Sequence, residues 1–296
     1  MIADILDRIE REHPLHLDTV PYFANFQRHV KLFLYPPDTE PVVLKICEGC
    51  EAGHEYRALL ELRPCAGSFA PEPLYCVEDG TGSALACRLV EHHPMKPSHL
   101  RKGRFGSQVI RIFESMASTS RGCYWREPVP MEFLAKSFER NIRAWGLPVS
   151  AADYAGRLAA DFFNEWPRIP QHGDMTLYNF GICGRQVVLF DWEDYGIFDL
   201  GGLDVATLLY SAGADVDRDP ACRSEALFSM ADTPLARSCL KAVGASGGAL
   251  LRYFPFFLLC FLDLKTRLGY GAQIRSNTLE FIRFVFESDL WKPRIQ

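Results

Sequence analysis

Residues 171–180 read QHGDMTLYNF, in which a His-Gly-Asp run is followed five residues after the aspartate by an asparagine. A surface turn needs no such set. Twelve residues beyond Asn179, Asp191 closes the apolar run VVLF. A carboxylate at the end of a buried strand is costly unless it meets a cation or a full set of donors. The oxygens of Asn179 and Asp191 are hard ligands suited to Mg²⁺, which takes one or two protein carboxylates and completes its shell with water and phosphate. Asp174 is then left to face a substrate hydroxyl. Phosphoryl transfer divides its labour in this way, with one carboxylate for the hydroxyl proton and an Asn–Asp pair for the metal on the phosphates. Upstream, Lys45 ends the run VVLK and would point from a strand at the α- and β-phosphates, held by a glutamate on the next helix. Glu55 is best placed for that pairing, with Glu51 and Glu61 in reserve.

These residues need a scaffold. HVKLFLY, PPDTEP and VVLKIC (29–47) read as two strands joined by a Pro-rich turn. Residues 54–62 have helical apolar spacing, closed by Arg63-Pro64. Residues 73–90 read as a hairpin turning at Asp79-Gly80-Thr81-Gly82. Beyond a connector at 91–97 the period changes, and helices are expected at 106–119, 131–145 and 150–166. Residues 185–192 form one arm of a short hairpin, and further helices are expected at about 202–212, 234–243, 247–268 and 276–289. The first fifteen residues read as an amphipathic, charge-bearing helix. The chain therefore divides into a small β-rich lobe, residues 1–92, and a larger α-rich lobe, residues 93–296.

Composition narrows the function classes. The 296 residues are 48% hydrophobic and 23% charged, the balance of a globular protein. A net charge of −5 and a pI near 5.9 supply no basic footprint for nucleic acid. The most apolar segment, 253–262, is too short to span a bilayer and reads as buried helix. No secretory signal pattern opens the sequence, and ten cysteines without a framework of short spacings fit reduced thiols in a cytoplasm. Cys47-Glu-Gly-Cys50 has no second ligand pair at zinc spacing and reads as coincidence. GxxxxGK[ST] and HExxH are both absent.

The segment 170–206, with its HGDMTLYNF, VVLFDWEDYG and GLDVATLL runs, resembles the aminoglycoside phosphotransferase and choline kinase family, small-molecule kinases of the protein-kinase-like fold. VVLK, HEYRALLEL and the hinge-like LVEHH support the resemblance more loosely. It implies a two-lobed α+β fold, with a small antiparallel-sheet N-lobe carrying one helix and a mostly helical C-lobe. It implies Asp174 as catalytic base, Asn179 and Asp191 as magnesium ligands, and Lys45 paired with Glu55 on the phosphates. It also implies His172 as a structural member of the catalytic loop, Asp204 as the buried aspartate bracing it, and Val90 to His92 as the adenine hinge. The expected cofactors are ATP or GTP and Mg²⁺, the partner a small-molecule hydroxyl acceptor, with neither nucleic acid nor membrane. Residues 24–29, ANFQRH, lack the glycines of a protein-kinase phosphate loop, and His-Gly-Asp replaces His-Arg-Asp. A nucleotide-binding module without turnover is the alternative. Glu193 and Asp194 are expected to be solvated or salt-bridged, with a second metal or substrate contact as the alternative. For a cationic acceptor, Asp215, Asp217, Asp219 and Asp263 are the candidate carboxylates. The acceptor itself stays open among amino sugars, amino alcohols and sugars.

Overall fold

In chain order the elements are α1 (Ile2–Glu12), β1 (Tyr22–Asn25), β2 (His29–Leu34), β3 (Val42–Glu48), α2 (Glu51–Ala66), β4 (Pro73–Glu78), β5 (Gly82–Arg88) and β6 (His93–Pro94). There follow α3 (Pro97–Leu100), α4 (Gly103–Thr119), α5 (Met131–Ala144), α6 (Val149–Glu165), β7 (Phe180–Cys183) and β8 (Gln186–Leu189). The chain ends with α7 (Leu203–Val216), α8 (Pro220–Ala231), α9 (Pro234–Ala242), α10 (Leu250–Arg267), α11 (Ala272–Glu287) and α12 (Lys292–Ile295). This computed structural model describes residues 2–13, 22–25, 29–35, 40–101, 103–119, 128–216, 219–245, 249–267 and 272–295. Contacts group Met1–His93 with Gly181–Tyr195 as one compact unit, and Pro94–Phe180 with Gly196–Gln296 as the other.

In the first unit the strands form an antiparallel sheet in the order β1-β2-β3-β5-β4. Side chains alternate across a strand, and β3 uses both faces. Val42, Leu44 and Ile46 join Leu34, Val77, Ala84 and Ala86 in a core that also takes Ile5 and Ile9 of α1. Each such aliphatic side chain stabilises the fold by about 1.5–3 kcal/mol when fully buried. The amphipathic start of the chain thus packs as a helix on the sheet. Lys45 lies on the other face of β3, opposite Lys31 of β2. The β4–β5 turn is locked by Asp79, whose Oδ1 accepts from the Thr81 and Gly82 amides at 2.9 Å each and from the Thr81 hydroxyl at 2.8 Å. The Pro-rich turn expected between β2 and β3 lies, at 36–39, outside the described residues.

α2 corrects one expected boundary. It does not stop at Arg63-Pro64 but runs through Pro64 to Ala66, and Gly67 follows at φ 50°. In the last turn a proline forfeits one hydrogen bond where few remain to be made, so the break falls at the glycine instead.

The second unit is helical. The apolar run of α10 is core, as expected, and every residue from Tyr253 to Lys265 is buried. Trp291 seals its lower end against Phe254 and Phe228, with ring centroids 5.8 and 4.7 Å away. α8 was not foreseen, although its start signal is plain. Pro220 occupies the first turn, and the Asp219 carboxylate accepts from the Ala221 amide at 3.3 Å. Among the described residues no helix is long and apolar enough to cross a membrane.

Candidate active site

Lys45 is 4% exposed and sits among three carboxylates. Its Nζ donates to Glu55 of α2 at 2.8 Å, to Asp191 at 2.6 Å and to Glu193 at 2.7 Å. Glu55, and neither Glu51 nor Glu61, is therefore the α2 partner. Burial works against the ammonium, yet the charges of Asp191, Glu55 and Glu193 hold Lys45 well above the usual lysine range. Burial likewise works to raise Asp191, but Lys45, with Lys31 and His29 nearby, holds it well below the usual carboxylate range. Burial raises Glu55, with Lys45 pulling the other way.

The turn carrying Asp191 is unusual in its backbone. Among the described residues Asp191 is the one non-glycine with positive φ, at φ 66° and ψ 59°. Such a conformation costs an ordinary residue on the order of 1–3 kcal/mol, and it persists only where the surroundings impose it. Here Trp192 imposes it. Its amide donates to Glu55 Oε1 at 3.2 Å and its buried indole donates to the Leu189 carbonyl at 2.7 Å. The strain aims a carboxylate at Lys45. Glu193 is salt-bridged, one of the two expected states, and Asp194 is buried, which rules out the solvated one.

Glu55, Asp191 and Glu193 bring carboxylate oxygens to within 4.8 Å of one another. Three hard anionic donors around one ammonium leave a net negative group, a donor set that fits a hard divalent cation.

In the second unit Asp204 organises the 172–179 loop. Its two carboxylate oxygens accept from the amides of His172, at 2.6 Å, and Gly173, at 3.0 Å. Its own amide donates to Gln171 Oε1 at 3.1 Å. Burial pushes Asp204 up to about 7, against the pull of the two loop amides. His172 is fully buried, and its Nδ1 accepts from the Asp174 amide at 3.3 Å, which puts the ring proton on Nε2. The Asn179 side-chain amide donates to the Asp174 carbonyl at 2.8 Å, leaving its oxygen as the group to offer a metal. The turn before Asp204 is tight. A Cβ at Gly201 would lie 2.6 Å from the Pro167 carbonyl, and at Gly202 (φ 98°) 2.3 Å from the Trp166 ring.

The Asp174 carboxylate is held by Lys265 of α10 at 2.8 Å, a lysine only 2% exposed. Both line a cavity of about 760 Å³ that also includes Asn179, Tyr210, Arg223 and Phe281. Sequence reasoning missed Lys265, because it belongs to a helix whose apolar pattern announces only core, and Arg223, because α8 itself was not foreseen. It also missed Lys31, although the register opposite Lys45 was there to be read in the alternation of HVKLFL.

The acidic candidates for a cationic acceptor are not gathered at this cavity. Asp263 is fully buried and accepts from Ser137 at 2.7 Å, Asn141 at 2.9 Å and Arg267 at 2.6 Å, so it ties α5 to α10. Asp219 caps α8, Asp215 is exposed, and Asp217 lies outside the described residues. At the hinge segment His92 Nδ1 donates to the Val90 carbonyl at 2.9 Å, and its ring packs on Phe190 at 4.4 Å. Cys47 is buried and its thiol pushed up to about 12 by that burial, whereas exposed Cys50 contacts His54 at 3.4 Å. Both cysteines of the CxxC pair are free, and among the described residues neither joins a group that could hold a metal ion.

A sheet-and-helix unit presenting a strand lysine clamped by a helix glutamate, together with a helical unit carrying a braced His-Gly-Asp loop, defines a protein-kinase-like α+β fold. Residues 29–232 match the model of the phosphotransferase enzyme family APH, and the chain belongs to that family. No curated protein matches its sequence. Solved structures match the fold over nearly the whole chain. A choline/ethanolamine kinase family protein from Mesorhizobium loti is 14% identical, with a TM-score of 0.63, covering 100% of this chain and 98% of its own. Amicoumacin kinase hAmiN, in complex with AMP-PNP, Ca²⁺ and Ami, is 13% identical, with a TM-score of 0.64 and coverage of 99% and 94%. Aminoglycoside phosphotransferase APH(3'')-Id from Streptomyces rimosus is 16% identical, with a TM-score of 0.58 and coverage of 91% and 98%.

Proposed function

We propose that the protein is a Mg²⁺-dependent kinase that moves the γ-phosphate of ATP, or GTP, to a hydroxyl of a small molecule. The observation that carries this reading is Lys45 held between Glu55, Asp191 and Glu193 at 2.6–2.8 Å. In phosphoryl transfer that arrangement positions a lysine for nucleotide phosphates and carboxylates for the metal. Membership in a phosphotransferase family supports it, as does the nucleotide analogue bound by the amicoumacin kinase of the same fold.

Each residue then has a task. Lys45, kept in place by Glu55, contacts the α- and β-phosphates. Asp191 and Asn179 are the proposed magnesium ligands, with Glu193 beside Asp191 as a further oxygen donor. The bound Mg²⁺ supplies positive charge to the phosphate oxygens. Backbone groups from Val90 to His92 receive the base of the nucleotide. His172 and Asp204 keep the loop in shape. Asp174 orients the acceptor hydroxyl and accepts its proton late, since a loose transition state demands little proton transfer before the phosphoryl group moves. Lys265 fixes the direction in which that carboxylate points. Alignment and cation charge provide most of the acceleration.

The test is ADP release by purified wild type, Asp174→Ala and Asp191→Ala with a panel of amino sugars, amino alcohols, sugars and nucleosides. Either substitution is expected to leave a folded protein with turnover lowered about a hundredfold or more. Near-wild-type turnover in either variant would overturn the assignment. Stabilisation by nucleotide with no ADP from any acceptor would instead mark a binding module.

A further inference from the structure

The cavity beside Asp174 carries its cations deep and an anion at its edge. Arg223 is 6% exposed and Lys265 2%, whereas Glu280, the other acidic lining residue besides Asp174, is exposed. Of the four aromatic lining residues, exposed Tyr178 stands apart, and the other three present faces covered by the chain's own positive charges. Arg223 lies over Tyr210 and Phe281, at 5.6 and 5.3 Å from the ring centroids, and Lys265 lies over Phe261 at 5.4 Å. A quaternary or primary ammonium ligand seeks such faces. Here it would meet like charges at each of them, which is penalised strongly in a buried site. The Asp174 carboxylate, the deep anion that might have drawn an amine, is already held by Lys265 at 2.8 Å.

A carboxylate finds the opposite situation. The Arg223 guanidinium also donates to the Tyr210 hydroxyl at 3.4 Å, so a polar donor plane is built into the wall. A guanidinium stays protonated at any working pH and matches a carboxylate through two parallel N–H donors. On the kinase reading above, we propose that the acceptor is an alcohol bearing its own carboxylate, received by Arg223 while its hydroxyl is turned to Asp174. A cavity of about 760 Å³ admits acceptors up to the size of a sugar acid.

The test uses the full chain with ATP, Mg²⁺ and two matched sets of acceptors that differ in charge. One set is glucuronate, glucose and glucosamine; the other is glycerate, glycerol and serinol. The carboxylate member of at least one set is expected to exceed its neutral and amine counterparts in kcat/KM by about tenfold or more, because a buried polar site disfavours an analogue that leaves it without a partner. Arg223→Gln should raise KM for that acceptor by about tenfold with a smaller fall in kcat, and Arg223→Lys should lie between. Glucuronate should also raise the melting temperature of the wild type and not of Arg223→Gln. The ranking of acceptors by the wild type needs no variant to fold. Equal or better turnover of glucosamine or serinol, with KM unmoved in Arg223→Gln, sinks the anion site and leaves the kinase reading standing. No ADP from any of the six, with glucuronate stabilisation present and lost in Arg223→Gln, sinks the kinase reading and keeps the anion site. Absence of both signals overturns both.

Discussion

Two buried lysines do opposite work in this molecule. Lys45, on a strand of the first unit, gathers three carboxylates from the helix α2 and the turn after β8. Lys265, on the helix α10 of the second unit, holds Asp174. The first group is left with excess negative charge in a place of low dielectric, which favours the arrival of another cation. The second ties Lys265 to Asp174, and it serves to fix a direction. The three carboxylates gathered on Lys45 make a centre that recruits, whereas the lysine on Asp174 orients.

Removing the lysines should break that contrast most visibly. Lys45→Met strands three carboxylates and is expected to cost about 3–5 kcal/mol of stability, as when one partner of a buried ion pair is lost. Lys265→Met leaves Asp174, whose side chain is 15% exposed, without its lysine and should cost about 1–3 kcal/mol. Denaturant unfolding of the two variants measures the gap, and equal losses would contradict the distinction.

A smaller effect tests recruitment directly. Without nucleotide, millimolar Mg²⁺ should raise the melting temperature of the wild type by a few degrees, the scale of about 1 kcal/mol of linked binding. Asp191→Asn should abolish the rise and Lys265→Met should retain it. A rise that survives Asp191→Asn would place the metal elsewhere.

Titration gives the two units opposite slopes. Burial, with Lys45 and Lys31 nearby, pushes His29 of the first unit down to about 4 from its usual 6.5. Its contribution to stability is complete above pH 6.5 and is lost as the pH falls towards 4. Asp204 of the second unit stands at about 7, against its usual 3.8. Its contribution is complete below about pH 4 and is lost as the pH rises to 7. The slopes oppose each other between pH 4 and 6.5, so the wild type partly hides both. Relative to wild type, His29→Gln should become less stable as the pH rises through that window, and Asp204→Asn more stable. Thermal melts at half-unit intervals would show whether the two differences diverge.

The smallest effect concerns the cysteines beside Lys45. Exposed Cys50 should react with a thiol reagent in the native protein and buried Cys47 only on unfolding, with no loss of stability after Cys50 is labelled.

What was legible in the sequence was local. The spacing of His172, Asp174 and Asn179 lies within one loop, and Asp191 closes a strand whose apolar run is visible. Lys45 and Glu55 could be matched because a strand and the next helix are neighbours. The division into a β-rich and an α-rich part followed from the change of period near residue 93, and the kinase-like fold class from the resemblance carried by residues 170–206. The rest depended on distant packing. Lys265 ends a helix whose sequence announces only a hydrophobic interior, and Arg223 lies on a helix missed despite its Asp219-Pro220 opening. The left-handed backbone of Asp191 has only a weak signal in residue type, since Asp tolerates that region but the bonds that accompany it come from Trp192 to Glu55 and to Leu189. Asp263 misled for the same reason. A carboxylate looks available in a sequence, and only packing reveals that three donors have already claimed it.

The pair Gly201-Gly202 carries a lesson about inheritance. Neither position has space for a methyl group, and both immediately precede the helix that delivers Asp204. Any replacement of either glycine would disturb the brace under the loop, without touching a group that reacts. In descendants of this gene the two glycines should therefore resist drift as firmly as Asp174 does. Invariance at 201 and 202 would then record a shortage of room, and a reader ranking positions by constancy alone would mistake a hinge pin for a reagent.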